Sequence, residues 1–224
     1  PPGTGKTHKW LKNKYAGLLK QYPWDRIVIL SHTNTAAEEI VKAVNKLPEL
    51  ENTPDTNLQD QICTIHSYFR AEYVSINKYE HKDHVAFCKN NSGMNIVKKS
   101  TPWNKHPLYE FISHAHGKGY DLTSEEKLEK FWALCERSRY QKYRLQGEGG
   151  LLKLKKKYDE WRNDSEHKRV DFVDMIDNFR FEAAIPTDID VLIVDEAQDC
   201  NKPQIDALQK AATYAKEFIF IGDA

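Results

Sequence analysis

Two short stretches of the chain carry residue types whose spacing suits phosphate chemistry. The first, Pro1-Pro2-Gly3-Thr4-Gly5-Lys6-Thr7, has the pattern of a Walker A loop whose opening glycine would fall one residue before Pro1. Gly3 and Gly5 let the backbone aim successive N–H groups at phosphate oxygens, and Pro2 and Thr4 complete the cradle. A helix opening at Thr7 would add its positive end. Lys6 is placed to reach the β- and γ-phosphates of a nucleotide, and the Thr7 hydroxyl to ligate Mg²⁺, so ATP and Mg²⁺ are the expected cofactors. A flexible Gly/Pro turn before a helix is the plainer reading, and it leaves the Gly-Lys-Thr triplet unexplained.

The second stretch is Val191-Leu192-Ile193-Val194-Asp195-Glu196-Ala197-Gln198-Asp199. An apolar strand ending in Asp-Glu sets carboxylates at the C-terminal edge of a sheet, where open α/β folds bind ligands. Asp195 would hold Mg²⁺, directly or through water, and Glu196 would polarise the attacking water. An acidic helix cap after a strand is the alternative. It loses ground once a phosphate loop stands upstream in the same chain.

Elements that position these groups follow from the apolar pattern. Ile27 to Leu30, Ile62 to Ile65, Val191 to Val194 and Phe218 to Ile221 read as buried strands of a parallel sheet. Helical stretches lie between them at Thr7 to Gln21, Thr35 to Lys46 (apolar at Ala36, Ile40, Ala43, Val44 and Leu47) and Pro203 to Lys216. Such alternation implies right-handed crossovers and helices on both faces of the sheet. From Ala71 to Val170 the rhythm breaks. A polar stretch from Lys89 to Pro107 precedes helical candidates at Ser124 to Tyr143 and Gly150 to Asn163. This segment reads as a mainly helical insertion, with the α/β pattern resuming near Asp171.

Composition narrows the class. A chain of 224 residues, 40% hydrophobic and 29% charged, can bury a real core. No apolar run approaches the ~20 residues of a membrane helix, so no membrane partner is expected. Cys63, Cys88, Cys135 and Cys200 are scattered without a CxxC pair, which suits free thiols in a reducing, intracellular and cytoplasmic setting. Net charge is zero, but Arg137 to Lys157 carries eight basic residues and one acid, Glu148, with Tyr140 and Tyr143 among them. That run, ending in Lys155, Lys156 and Lys157, suits either phosphate neutralisation with some stacking or a solvated helix face. His81, His84 and Cys88 have ligand types at helical spacing, but a closed zinc site needs four ligands and no fourth is near in sequence, so the histidines read as ordinary surface residues. Trp24, Trp103, Trp132 and Trp161 read as packing residues.

With the motifs in place, the chain resembles the first ATP-binding domain of the UvrD/Rep-like superfamily 1 helicases. Asp195-Glu196-Ala197-Gln198-Asp199, followed by Asn201 and Gln204, is similar to their motif II, and the resemblance gives Gln198 a catalytic part. Ser31-His32-Thr33-Asn34-Thr35-Ala36-Ala37 resembles motif Ia, and Thr64-Ile65-His66-Ser67-Tyr68-Phe69 the Thr-x-His-Ser motif. These imply nucleic-acid contacts at His32, Thr33, Asn34, Thr64 and His66. Asp171-Phe172-Val173-Asp174-Met175 looks like the segment by which such chains re-enter the first domain. Phe220-Ile221-Gly222-Asp223 looks like the opening of motif III, implying a coupling role for Gly222 and Asp223. Two departures stand out: Pro1-Pro2 and Thr4 in motif I, a version commoner in other superfamily 1 helicases and AAA+ ATPases, and His32 where Phe is usual.

The resemblance implies a RecA-like P-loop NTPase fold. Residues 1–70 and 171–224 would form the first RecA-like domain, cut short at both ends, and residues 71–170 its inserted helical subdomain. It further implies ATP-driven movement on single-stranded DNA and at duplex junctions, with RNA left open, and a second RecA-like domain elsewhere in the protein. An AAA+-like remodeller and a non-catalytic nucleic-acid-binding module are the rival readings. The long span between the phosphate motifs argues against the first, and intact Lys6, Thr7, Asp195 and Glu196 against the second.

Overall fold

A computed structural model describes residues 13–50, 54–74, 84, 86–87, 90, 107–120, 122, 124–134, 151–164, 169–181 and 188–222. The Pro1–Thr7 loop, Asp223, His81, Cys88, Cys135, Trp103 and the run from Arg137 to Arg144 lie outside the described residues. The chain divides into two compact units, Pro1–Tyr73 with Ile176–Ala224, and Val74–Met175.

The first unit holds a four-stranded parallel sheet in the order β2-β1-β3-β4. Its strands are β1 (Ile27–Ser31), β2 (Ile62–Thr64), β3 (Val191–Val194) and β4 (Glu217–Phe220). Around it lie α1 (residues 13–18), α2 (Asn34–Val44), α3 (Asp55–Gln61), α4 (Ile65–Val74), the latter part of α8 (Phe172–Phe181) and α9 (Lys202–Ala212). Strand residues alternate between two cores, because successive side chains of a strand point to opposite faces. Ile27, Ile29, Val191 and Ile193 pack with Tyr15 and Leu18 of α1 and Ile40, Val41 and Val44 of α2. Val28, Leu30, Leu192 and Val194 pack with Phe69 of α4, Ile176 and Phe179 of α8, and Leu208 of α9. Helices thus cover both faces, as a buried parallel sheet requires. The apolar stripe of α2 runs through Ala37, Ile40, Val41 and Val44. Ala36 and Ala43, expected on that stripe, are only partly buried.

The strand order locates the ligand edge. From β1 the chain crosses to β2 on one side, while β3 and β4 lie on the other. The order therefore reverses between β1 and β3, and in open α/β sheets the C-terminal ends of strands at such a reversal are where ligands bind. Ser31-His32-Thr33 leave β1 there, and Asp195-Glu196 leave β3.

The second unit is helical in its described part: α5 (Pro107–Gly117), α6 (Glu125–Leu134), α7 (Leu151–Asn163) and the start of α8. Its core gathers Phe111, Phe131, Trp132, Leu151, Leu154 and Tyr158. Leu151, Leu154, Lys155, Tyr158 and Arg162 fall at i, i+3, i+4, i+7 and i+11 of α7, which is one helix face, and all five are buried. The two charges on that face are each paired. Lys155 donates to Asp159, one turn on. Arg162 reaches Asp171 at 3.1 Å and both oxygens of Asp174 at 2.6 Å. Asp171 also caps α8, accepting from Val173 N at 2.9 Å and Asp174 N at 3.2 Å. Tyr158 donates to Asp171 at 3.0 Å, and the His84 ring meets the same hydroxyl at 2.9 Å.

His84 is therefore a core histidine with 1% of its surface exposed, not a surface one. A ring nitrogen that satisfies the buried Tyr158 hydroxyl explains the difference. Among the described residues no group of three His, Cys, Asp or Glu converges as a metal site, and no helix is long and apolar enough to cross a membrane.

Candidate functional site

At the C-terminal edge of the sheet, backbone hydrogen bonds tie three strand ends together. Asp195 N donates to Leu30 O at 2.8 Å, Ile221 N to Val194 O at 2.8 Å, and Ala197 N to Ile221 O at 2.9 Å. Asp195 is 6% exposed, sitting one residue past the buried strand Val191–Val194. Glu196 follows with φ 52° and ψ 45°, the one non-glycine residue with positive φ among those described. A side chain in that left-handed region costs roughly 1–2 kcal/mol. The next turn, Ala197–Asp199, locks it in place, with Asp199 N on Glu196 O at 2.9 Å and Cys200 N on Ala197 O at 3.2 Å. Strain of this kind concentrates at functional sites.

The side chain of Glu196 is oriented as well. Gln198 Nε2 donates to Glu196 Oε2, so the amide fixes one carboxylate oxygen and leaves the other for a further partner. Gly222 makes room for that amide. A Cβ at position 222 would overlap Gln198 Oε1, so any side chain there forces the Gln198 amide aside. The expected coupling residue Gly222 thus touches the expected catalytic residue Gln198, which in turn holds Glu196. Nothing in the sequence signalled this chain of contacts, because residues 196–198 and 222 meet only through the pairing of β3 with β4.

These donors suit a hard cation. Mg²⁺ prefers oxygen ligands and is held by one or two carboxylates together with water and substrate phosphates, not by an all-protein cage. Asp195 and Glu196 supply such oxygens at a strand end. A convergent cluster of three protein ligands is not what this cation needs.

The residues expected to meet nucleic acid are placed less uniformly. Thr33 caps α2, its Oγ1 accepting from Ala36 N at 3.1 Å. Thr64 does the same for α4, accepting from Ser67 N at 3.1 Å and donating to Ser67 Oγ at 2.8 Å. Capping leaves the Thr33 proton free to donate outward, whereas both functions of the Thr64 hydroxyl are taken up internally. Asn34 opens α2 and is exposed, while His66 is half-buried in the first turn of α4. His32 lies in the switch-point loop, its Nε2 3.2 Å from Cys200 Sγ. Burial lowers the His32 pKa, against the raising influence of Asp199 and Glu196. In α7, Lys155 is turned inward onto Asp159, so Lys156 and Lys157 are the exposed part of the expected basic triplet.

The family model for the UvrD/REP helicase N-terminal domain matches residues 1–224. No curated protein matches the chain. A parallel sheet with helices on both faces is the architecture this match calls for. The chain belongs to the UvrD/REP helicase N-terminal domain family, and its function is of the helicase type.

Proposed function

We propose that this chain is the ATP-binding part of an enzyme that couples ATP hydrolysis to movement along single-stranded nucleic acid and to strand separation. The observation that carries the reading is Glu196, held in a left-handed turn at the sheet edge and oriented by Gln198 beside buried Asp195. Bound Mg²⁺ would supply charge neutralisation between the nucleotide phosphates. Asp195 and Thr7 are the residues that would hold it, and Lys6 would meet the γ-phosphate. The free oxygen of Glu196 accepts a hydrogen bond from the attacking water and draws off its proton. Gln198 keeps that carboxylate from rotating away. His32, Asn34 and His66 face the single strand, and Asp223 with Gly222 relays between the two functions. The enzyme works inside the cell, residues 1–70 and 171–224 form its first RecA-like domain, and a second such domain completes the nucleotide site. Residues 1–224 alone then turn over ATP feebly, because no arginine reaches the transferred phosphoryl group from across the cleft.

Phosphate release by the full-length protein, measured with and without a single-stranded oligonucleotide, tests this reading. Hydrolysis stimulated by the strand is expected. ATP hydrolysis indifferent to single strands would remove the translocase reading, and no hydrolysis at all would remove the enzyme. A separate expectation concerns Lys156 and Lys157, which would meet phosphate by counterion release. Replacing both with Glu should lower the slope of log affinity against log salt by about 1.5 and leave basal hydrolysis unchanged. An unchanged slope would make this stretch of α7 a solvated face.

A further inference from the structure

The segments that follow β1 and β3 at the switch point are joined by a side-chain contact, His32 Nε2 to Cys200 Sγ at 3.2 Å. We propose that this contact relays the state of the strand-facing loop after β1 to the nucleotide-facing turn after β3, so that Cys200 couples strand binding to hydrolysis without itself acting in the basal reaction. The inference rests on the function proposed above.

Each partner is anchored on both sides. His32 lies between Ser31, the last residue of β1, and Thr33, the cap of α2. Cys200 lies between the Ala197–Asp199 turn and Asn201, which opens α9 through a reciprocal capping box with Gln204. Asn201 Oδ1 accepts from Gln204 N at 3.0 Å, and Gln204 Oε1 from Asn201 N at 2.9 Å. Cys200 N in turn binds the turn at Ala197 O. A displacement of the His32 loop is therefore passed to the turn that shapes Glu196, because α9 behind it is fixed.

The protonation states suit a directed bond. Burial, with Asp199 nearby, pushes the Cys200 thiol up to about 11, so it stays S–H. Burial also lowers the His32 pKa, which favours the neutral ring. The thiol then donates to Nε2 and the ring proton resides on Nδ1, leaving an N–H donor for an incoming strand. Strand contact at Nδ1–H and the thiol bond at Nε2 are thus two ends of one imidazole.

The test uses the full-length protein with ATP and oligothymidylate, comparing the parent with Cys200→Ala and Cys200→Ser. Cys200→Ala should keep the parental basal rate, KM for ATP and melting temperature. Its ratio of stimulated to basal hydrolysis should fall about fivefold or more. Cys200→Ser, whose hydroxyl can still donate to Nε2, should restore most of the ratio. In a His32→Ala background, Cys200→Ala should change the ratio no further. Parental stimulation in Cys200→Ala overturns the relay, as does a serine variant as impaired as the alanine one. Equal loss of basal and stimulated rates in Cys200→Ala also overturns it, since that marks a structural role. A parent that single strands do not stimulate overturns the proposed function itself, and this inference with it.

Discussion

Glu196→Gln in the full-length protein should bind ATP with parental affinity and lose turnover by roughly 10²–10⁴-fold. The substitution keeps the size of the side chain and removes its charge. Asp195, buried at the end of β3, is untouched, so the residue expected to hold Mg²⁺ remains. What disappears is the carboxylate proposed to accept the water proton. The left-handed backbone at Glu196 is set by the hydrogen bonds of the following turn, not by its side chain, and should survive. Titration with a fluorescent ATP analogue gives the affinity, and single-turnover hydrolysis gives the chemical step. Turnover at the parental rate would mean that another group activates the water. Gln198→Ala makes a graded companion. It frees the Glu196 carboxylate without discharging it, so it should slow hydrolysis less than Glu196→Gln does and also leave ATP affinity in place.

Much of the C-terminal edge of the sheet is legible in the sequence because its signals are local. Val191 to Val194 reads as a strand and is one, since a run apolar at every position fits burial on both faces. Phe218 to Ile221 was displaced by one residue, the structure pairing Glu217–Phe220. Ile221 still donates to Val194 O, so the apolar pattern outlasts the strand by one residue. Pro107–Gly117 is a helix whose histidines and glycine blur the apolar period in the sequence, although Leu108, Phe111, Ile112 and Ala115 line one face. Lys155 is the instructive miss. Read as part of a charge run, it looks solvent-facing. Read by helical spacing from Leu151, it falls on the buried stripe, with Asp159 one turn on to receive it. Contacts made by tertiary pairing, such as Gly222 against Gln198 or His32 against Cys200, had no local signal.

The same stripe carries Arg162, and Arg162→Met should be the most destabilising single change in the helical unit, by about 3–5 kcal/mol at neutral pH. The guanidinium is buried and fully engaged: Nε donates to Arg169 O at 3.1 Å, Nη1 to Asp171, and Nη2 to Asp174. Methionine fills similar volume but leaves buried Asp171 and partly buried Asp174 beside each other without a cation. The pH dependence follows from their titration. Burial, reinforced by the Asp171 charge and opposed by Arg162, raises Asp174 to about 6 in the parent. A carboxyl raised in the folded state contributes stability at low pH that is lost as pH rises through about 6. Burial works against the Asp171 charge too, but Arg162 and the hydrogen bonds around it hold that carboxyl below its ordinary value. Its contribution is lost only as pH falls below the usual carboxylate range, outside a titration from pH 8 to about 5. Without Arg162 both carboxyls move upward, so the deficit of Arg162→Met should be greatest at pH 8 and narrow as both protonate. Urea unfolding across that range, followed by tryptophan fluorescence to which Trp132 and Trp161 of this unit contribute, gives the comparison. A deficit under about 1 kcal/mol at pH 8 would mean that the pair merely balances its own desolvation, and one that does not narrow toward pH 5 would mean that the lost stability is packing and not charge.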